Sequence, residues 1–396
     1  MNQTLFKVAP LAIAAAVALA ACGKKEEAAP KAEPAKAAAA PAAEVIKVGH
    51  VGPLTGGIAH LGKDNENGAR LAVEEINAAG GIKVGDKTFK LELVAEDDKA
   101  DPKEGTLAAQ KIVDSGAVAI VGHLNSGTTI PASKIYADAN MTQISPSATN
   151  PKYTEQGFKT AFRVVANDNQ QGAVLANYAA DTLKAKTIAI VDDRTAYGQG
   201  LADVVEKVAK EKGVKVVGRE FTNDKATDFN AILTKIRGAK PDVIMYGGMD
   251  ATAGPMAKQI KQLGIKATFL AGDGVCSPEF VKLAGDAAGI LHCSMAGEAV
   301  EKLAKGAEFV DKYKKRFNQD VQIYSPYSYD AVYIIADAMK RAGKADRASI
   351  TAAMPTTNYN GLTGTIAFDD KGDIKGGAIS MFKVNNGKLE YVSTVR

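Results

Sequence analysis

Residues 117–151 read AVAIVGHLNSGTTIPASKIYADANMTQISPSATNP. Ala117–Val121 is a short, wholly apolar run of strand type. It opens into the polar loop Gly122-His123-Leu124-Asn125-Ser126-Gly127, where Ser126 is placed to cap a helix. A second strand candidate, Thr142–Ser145, then runs into Pro146-Ser147-Ala148-Thr149-Asn150-Pro151, a polar segment fenced by prolines. Strands of near-continuous apolar character joined through helices belong to parallel sheets covered on both faces.

The same alternation runs outward in both directions. Further strand candidates are Val45–Val51, Leu91–Ala95, Thr187–Val191, Val214–Val217, Val243–Tyr246, Thr268–Ala271 and Gly289–Cys293. Between Asp64 and Ala79 the apolar residues Ala69, Ala72, Val73, Ile76 and Ala79 form one helical stripe, which Gly80-Gly81 ends. Pro102 opens the next helix and Gly116 closes it. Residues 45–150 and 168–275 share one βαβαβ layout. So many units overfill a single sheet, and 396 residues overfill a single core, so two doubly wound α/β domains are expected. The beat then breaks into the helical patterns Lys302–Phe317, Ala331–Ala342 and Ala348–Met354. Strand patterns Ala378–Val384 and Leu389–Val395 close the chain around Asn385-Asn386-Gly387, a hairpin signal.

The chain begins with an export signal. Lys7 precedes an apolar run, Val8 to Ala18, too short to span a bilayer. Leu19-Ala20-Ala21-Cys22 resembles a lipoprotein box, with Cys22 as the lipidated N-terminus. A cut after Ala20 also fits the small-x-small rule, but a cysteine has no use in a discarded peptide. Residues 23–43 are mostly Ala, Pro, Lys and Glu, cannot bury a core, and read as a disordered tether. An exported, periplasmic protein held to a membrane by its lipid alone is expected.

Several chemistries are excluded. With 49 basic and 45 acidic residues the net charge is +4, too balanced for a nucleic-acid binder. Three cysteines without a CxxC, and four histidines without HxxxH spacing, leave no zinc ribbon or zincin site, so no metal and no cofactor is expected. Gly57 to Asp64 nearly matches a P-loop, but an acid stands where Mg²⁺ needs a hydroxyl. Gly198-x-Gly200 and Gly272-x-Gly274 fail the dinucleotide fingerprint, and no GxSxG occurs. His123 lies too near Ser126 in sequence to serve it as a base without special geometry. No enzyme signature remains.

In open α/β sheets ligands bind beyond the carboxyl ends of the strands. There the sequence offers a helix N-terminus at Ser126 suited to an anion. It also offers carbonyls and a hydroxyl in 146–151, and an acid between two glycines, Gly272-Asp273-Gly274. Plain capping and an ordinary turn acid are the competing explanations for Ser126 and Asp273. Together the three parts match the charge pattern of an α-amino acid.

Those residues sit in stretches that carry a resemblance. They are IKVGHVGPLTG at 46–56, EINAAGGI at 75–82, AEDD at 95–98 with Asp101-Pro102, VGHLNS at 121–126, PASKIY at 131–136, SPSAT at 145–149, AYGQGL at 196–201, YGG at 246–248 and FDDKGD at 368–373. In this order they resemble the leucine/isoleucine/valine-binding protein family, the substrate-binding proteins of bacterial ABC importers. The resemblance covers 45–396.

It implies a type I periplasmic binding protein fold of two doubly wound parallel-sheet domains joined by a three-crossing hinge. The domains would be 45–166 plus 296–376 and 167–295 plus 377–396. The implied function is capture of a free amino acid, branched-chain or similarly aliphatic, and its delivery to membrane permease subunits by a monomeric protein that does no chemistry. The alternative is a sensory or regulatory module for amides or small carboxylic acids. Carried over by position, Ser126 binds the ligand carboxylate, Ser147 offers its carbonyl to the ammonium, and Thr149 serves both groups. Asp273 pairs with the ammonium from an open cleft that hydrates it when no ligand is bound, and Tyr197 closes over the ligand. His60, Leu61, Met249 and Asp250 form the pocket wall. Leu61 and Met249 stand where the family often has aromatics, and Asp273 is shorter than the family's usual glutamate. The bridged cysteines of some relatives are missing near Asp98 and at Asn125. Cys276 and Cys293 remain, and export makes a disulfide between them the default.

Overall fold

The computed structural model describes residues 44–396. The leader, the Cys22 lipobox and the 23–43 tether lie outside the described residues. The first sheet grows around β1 (Glu44–Gly52), whose last five residues are buried. It adds β2 (Ile82–Val84), β3 (Lys87–Asp97), β4 (Ala119–Gly122), β5 (Thr142–Ser145) and β6 (Ala161–Arg163) in the order β2-β3-β1-β4-β5-β6. All neighbours pair in parallel except β2 with β3. The second sheet holds β7 (Thr187–Asp192), β8 (Lys215–Phe221), β9 (Val243–Gly247), β10 (Thr268–Ala271) and β11 (Leu291–Met295). A small hairpin of β12 (Tyr359–Gly361) and β13 (Gly364–Ile366) stands apart. Antiparallel β14 (Ile379–Asn385) and β15 (Lys388–Val395) complete the second sheet in the order β15-β14-β11-β10-β9-β7-β8. The parallel parts are alike: β3-β1-β4-β5 in one, β8-β7-β9-β10 in the other. Strand order therefore reverses beside β1 and beside β7, the places where such sheets open a crevice.

Helices cover the sheets: α1 (Ala59–Ala78), α2 (Pro102–Asp114), α3 (Ser126–Asp138), α4 (Lys152–Glu155), α5 (Asp168–Asn177), α6 (Ala196–Glu211), α7 (Asn230–Ala239), α8 (Asp250–Gln262), α9 (Pro278–Ala284), α10 (Gly306–Phe317), α11 (Ser325–Ala342) and α12 (Arg347–Ala353). The first sheet packs against α1, α2, α3, α11 and α12, the second against α5 to α9. The chain passes from the first half to the second between Arg163 and Asp168, returns after Met295, and crosses again before Ile379. Local chemistry sets several ends. Asp101 caps α2 by accepting from the N–H groups of Lys103 and Glu104, with Pro102 in the first turn. Asn386 and Gly387 take positive φ of 48° and 72°, which lets a two-residue turn join β14 to β15.

Some expectations are corrected. The helix expected from Asp64 starts at Ala59, because Asp64 and Asn65 are buried polar residues that an apolar stripe cannot reveal. Asp64 accepts the backbone N–H groups of Gln322, Ile323, Tyr324 and Ser325 at 2.7–3.0 Å, anchoring the start of α11. That bond set accounts for the acid in the near-P-loop. Ser126 is not the cap of α3: Asn125 holds that position, and Ser126 is the first helical residue. The helix expected from Lys302 begins at Gly306 after a tight turn at Val300–Lys302, and the one expected from Ala331 begins at Ser325. The strand expected at Gly289–Cys293 is Leu291–Met295, because residues 285–290 form a 3-10 turn. β2, β6, β12 and β13 are three residues each, too short to show a period.

Cys276 and Cys293 are joined by a disulfide, with Cα atoms 5.5 Å apart. It ties the segment after β10 to β11. Closing a loop of this span stabilises by about 3 kcal/mol in the chain-entropy model, and Cys276→Ser should lower stability by about that amount. Both cysteines should stay unlabelled by alkylating reagent in denaturant until reductant is added. Labelling of both without reductant would contradict the bridge.

Candidate functional site

The loops that follow β1, β4 and β5 in the first half face those that follow β7, β9 and β10 in the second. Ser126 ends the β4 loop at the N-terminus of α3, and its Oγ accepts the Asn150 N–H at 3.2 Å. That contact ties the β4 loop to the loop after β5. Within the latter, Arg163 donates to the carbonyls of Ala148 and Asn150, both at 2.9 Å, and Asp168 N–H to that of Thr149 at 2.8 Å. The Ser147 carbonyl accepts no hydrogen bond among the described residues. The Ser147 hydroxyl is pinned by Asn65 at 3.1 Å. The Thr149 hydroxyl is buried beside Asp168 and makes no well-directed hydrogen bond. Buried polar atoms without partners are uncommon, so this one is a candidate for a ligand.

Asp273 opens a 3-10 turn directly after β10 and is 1% exposed. The expectation of a hydrated acid in an open cleft is therefore corrected. Its Oδ1 accepts from Tyr197 Oη at 2.8 Å and from Gln171 Nε2 at 2.9 Å, and its Oδ2 accepts from Tyr324 Oη at 2.7 Å. Burial raises its pKa, and these three hydrogen bonds act against the rise. Close packing explains the flanking glycines. A Cβ on Gly272 would stand 2.5 Å from the Tyr197 hydroxyl, and one on Gly274 would stand 2.6 Å from Met249 Sδ. Tyr324 belongs to the first half, so its bond to Asp273 spans the two.

His60 and Asp250 make a second span, Nε2 to Oδ2 at 2.7 Å, between α1 and α8. They engage each other rather than simply walling a pocket. Ser277 also donates to Asp250, while Asp250 Oδ1 is buried without a partner. A third span runs from Asn150 Nδ2 to the Ala196 carbonyl at 2.6 Å. Burial lowers the His60 pKa, but the Asp250 hydrogen bond and the charges of Asp250, Glu279 and Asp64 outweigh it and leave it raised. The clasp is thus fully formed below the ordinary histidine value of about 6.5 and weakens as pH rises through the raised value. If the clasp helps hold a ligand, His60→Ala should weaken binding by about threefold to tenfold near pH 6 and by less near pH 9. An equal ratio at both pH values would contradict this.

Leu61 is fully buried in an apolar cluster that includes Ile58, Leu124 and Tyr246, so it packs behind the cavity wall rather than forming it. Met249 is half-buried and, with Tyr197, Asn125 and Ile58, lines a cavity of about 580 Å³ between the halves. His123 reaches away from Ser126: its ring nitrogens meet Asp98 and Tyr136, both at 3.0 Å. Sequence reasoning missed Gln171, Tyr324, Asp168, Asn65 and Arg163. Gln171 and Tyr324 reach Asp273 from 102 and 51 positions away. No local signal marks them, apart from their standing near helix starts.

The comparisons with known proteins agree with this architecture. The periplasmic binding protein family model matches residues 45–388. A leucine-, isoleucine-, valine-, threonine- and alanine-binding protein of Pseudomonas aeruginosa is 36% identical over 334 residues, covering 84% of this chain and 88% of the relative. The leucine-binding protein LivK of Thermotoga maritima superposes with a TM-score of 0.82 at 29% identity, covering 88% of this chain and 98% of that one. LivJ of Streptococcus pneumoniae, solved with isoleucine, gives 0.81 at 30% identity, covering 89% and 99%. The chain belongs to the periplasmic binding protein family, and its fold is the type I form. Among the described residues no helix is long and apolar enough to cross a membrane.

Proposed function

We propose that this protein captures a free α-amino acid with an aliphatic side chain between its two halves and delivers it to the permease of an ABC importer. The observation that supports this most is the chain of contacts that joins three unlike groups: Ser126 at the α3 N-terminus accepts from Asn150, the Thr149 hydroxyl next to Asn150 lies beside Asp168, and Gln171 links Asp168 to the buried Asp273. A carboxylate suits the first, and an ammonium suits the other two. The Ser147 carbonyl is a further acceptor for the ammonium. Met249 and Ile58 offer the side chain apolar surface, with Leu61 packed beside Ile58, and the flexible methionine adapts to more than one shape. The relatives named for leucine, isoleucine and valine support the ligand class, and the added threonine and alanine of one fit an adaptable pocket.

In this role the protein does no chemistry on its ligand. The halves close about a hinge near residues 166, 296 and 376, with Tyr197 and Tyr324 meeting over Asp273. The protein acts as a periplasmic monomer tethered through residues 23–43 to lipidated Cys22. Calorimetric titration with leucine, isoleucine, valine, alanine and threonine tests the ligand class. Binding of at least one of the branched-chain members is expected. Heat from none of them would overturn the proposal.

A further inference from the structure

Beside Asp273 lies a second buried acid, Asp168, at the start of α5 and fully buried. One donor, Gln171 Nε2, serves both carboxylates, at 3.2 Å to Asp168 Oδ1 and 2.9 Å to Asp273 Oδ1. The glutamine is itself fixed, because Ser294 on β11 donates to its carbonyl at 3.0 Å. Asp168 Oδ2 makes no well-directed hydrogen bond, although the Thr149 hydroxyl lies beside the carboxyl group.

No cation among the described residues bonds to either acid. Arg163 on β6 is near Asp168, but its donors go to Asp373, Thr154 and the carbonyls of Ala148 and Asn150. The other titratable groups facing Asp168 are Asp273 after β10, Tyr197 on α6 and Tyr324 before α11, and none supplies positive charge. Two carboxylates that share one amide donor away from water resist ionising together without a cation, so the second of them to ionise does so at a raised pH.

We propose that Asp168, paired with Asp273 through Gln171, holds a proton until the ligand's ammonium enters the site, and then releases it to solvent. This rests on the proposed amino-acid ligand. The exchange balances: a neutral Asp168 carboxyl and an ammonium become a carboxylate beside that ammonium, and one proton leaves to water. No covalent bond to carbon forms or breaks. The consequence is selectivity for cationic amines, because a ligand without an ammonium gives Asp168 no reason to ionise. Burial, and then the Asp273 charge, raise the Asp168 pKa to about 7, against the pull of Thr149, Gln171 and Arg163, so the exchange falls in the working pH range.

Calorimetry of the ligand-free protein with L-leucine, in two buffers of different ionisation heat, counts the protons. About half a proton per ligand should leave near pH 7, approaching one near pH 5 and none near pH 9. Affinity for leucine should rise with pH up to about 7, by as much as about tenfold per unit, and then level off. Carboxyl-carbon NMR of the ligand-free protein should show Asp168 titrating near 7, apart from Asp193, which burial raises to about 6, and Asp168→Asn should remove the titration near 7 together with the proton release. Leucine binding with no proton release in the parent protein would overturn this proposal and leave the amino-acid function standing. Failure of every α-amino acid to bind would overturn both.

Discussion

Asp273→Ala should weaken leucine binding by roughly 30-fold to several thousand-fold, the equivalent of about 2–5 kcal/mol. The loss has two parts. The ligand's ammonium is left in a desolvated cleft without its carboxylate, and removing one member of a buried charged pair penalises the member that remains. The substitution also orphans the Tyr197 and Tyr324 hydroxyls and the Gln171 amide, the groups that join the two halves over the site. Stability of the ligand-free protein should fall as well, because the acid is 1% exposed and hydrogen-bonded, not hydrated. Calorimetry with leucine on Asp273→Ala and Asp273→Asn, alongside thermal unfolding, separates the two effects. A folded Asp273→Ala that binds leucine within tenfold of the parent would contradict the assignment.

Arg163→Ala should lower folding stability by about 3–5 kcal/mol. The guanidinium is fully buried and pairs with Asp373 through Nε at 3.0 Å and Nη2 at 2.6 Å. It also braces the loop after β5 by holding the carbonyls of Ala148 and Asn150, on either side of Thr149. Alanine leaves Asp373 without its cation and frees that loop, so leucine affinity should drop together with stability. Arg163→Lys should not restore the parent, because an ammonium cannot reproduce a planar fork that reaches an acid and two carbonyls at once. Urea unfolding measures the effect. A loss under about 1 kcal/mol would show that the network carries little.

Much of this architecture is legible in the sequence because parallel strands buried on both faces are written as apolar runs. β1, β5 and β10 match their expected spans to within a residue. The Asn-Gly turn between β14 and β15 was legible because its left-handed residues leave a chemical signature. What stayed hidden is the polar interior. Asp64 reads as the wrong end of a phosphate loop, yet it anchors four backbone N–H groups of a segment about 260 positions away. Ser126 reads as a cap, yet Asn125 takes that place. In the site, single-loop features such as Gly272-Asp273-Gly274 and the segment 146–151 could be found from strand ends alone. Asp168, Gln171 and Tyr324 could not, because their meeting at Asp273 is a product of two halves folding against each other. The family resemblance supplied positions for ligand contacts, but not the bonds these residues make among themselves.

The central claim is that the cleft grips the ammonium of an amino acid through Asp273, with Asp168 beside it. The most direct measurement compares leucine with its 2-oxo acid analogue by calorimetry on the parent protein near neutral pH. The two share a carboxylate and a side chain and differ in the ammonium. Leucine should bind tighter by at least about 30-fold, the lower edge of the loss assigned to a buried charged pair. Equal affinity for the oxo acid would contradict the account and make the ligand a carboxylate without an ammonium.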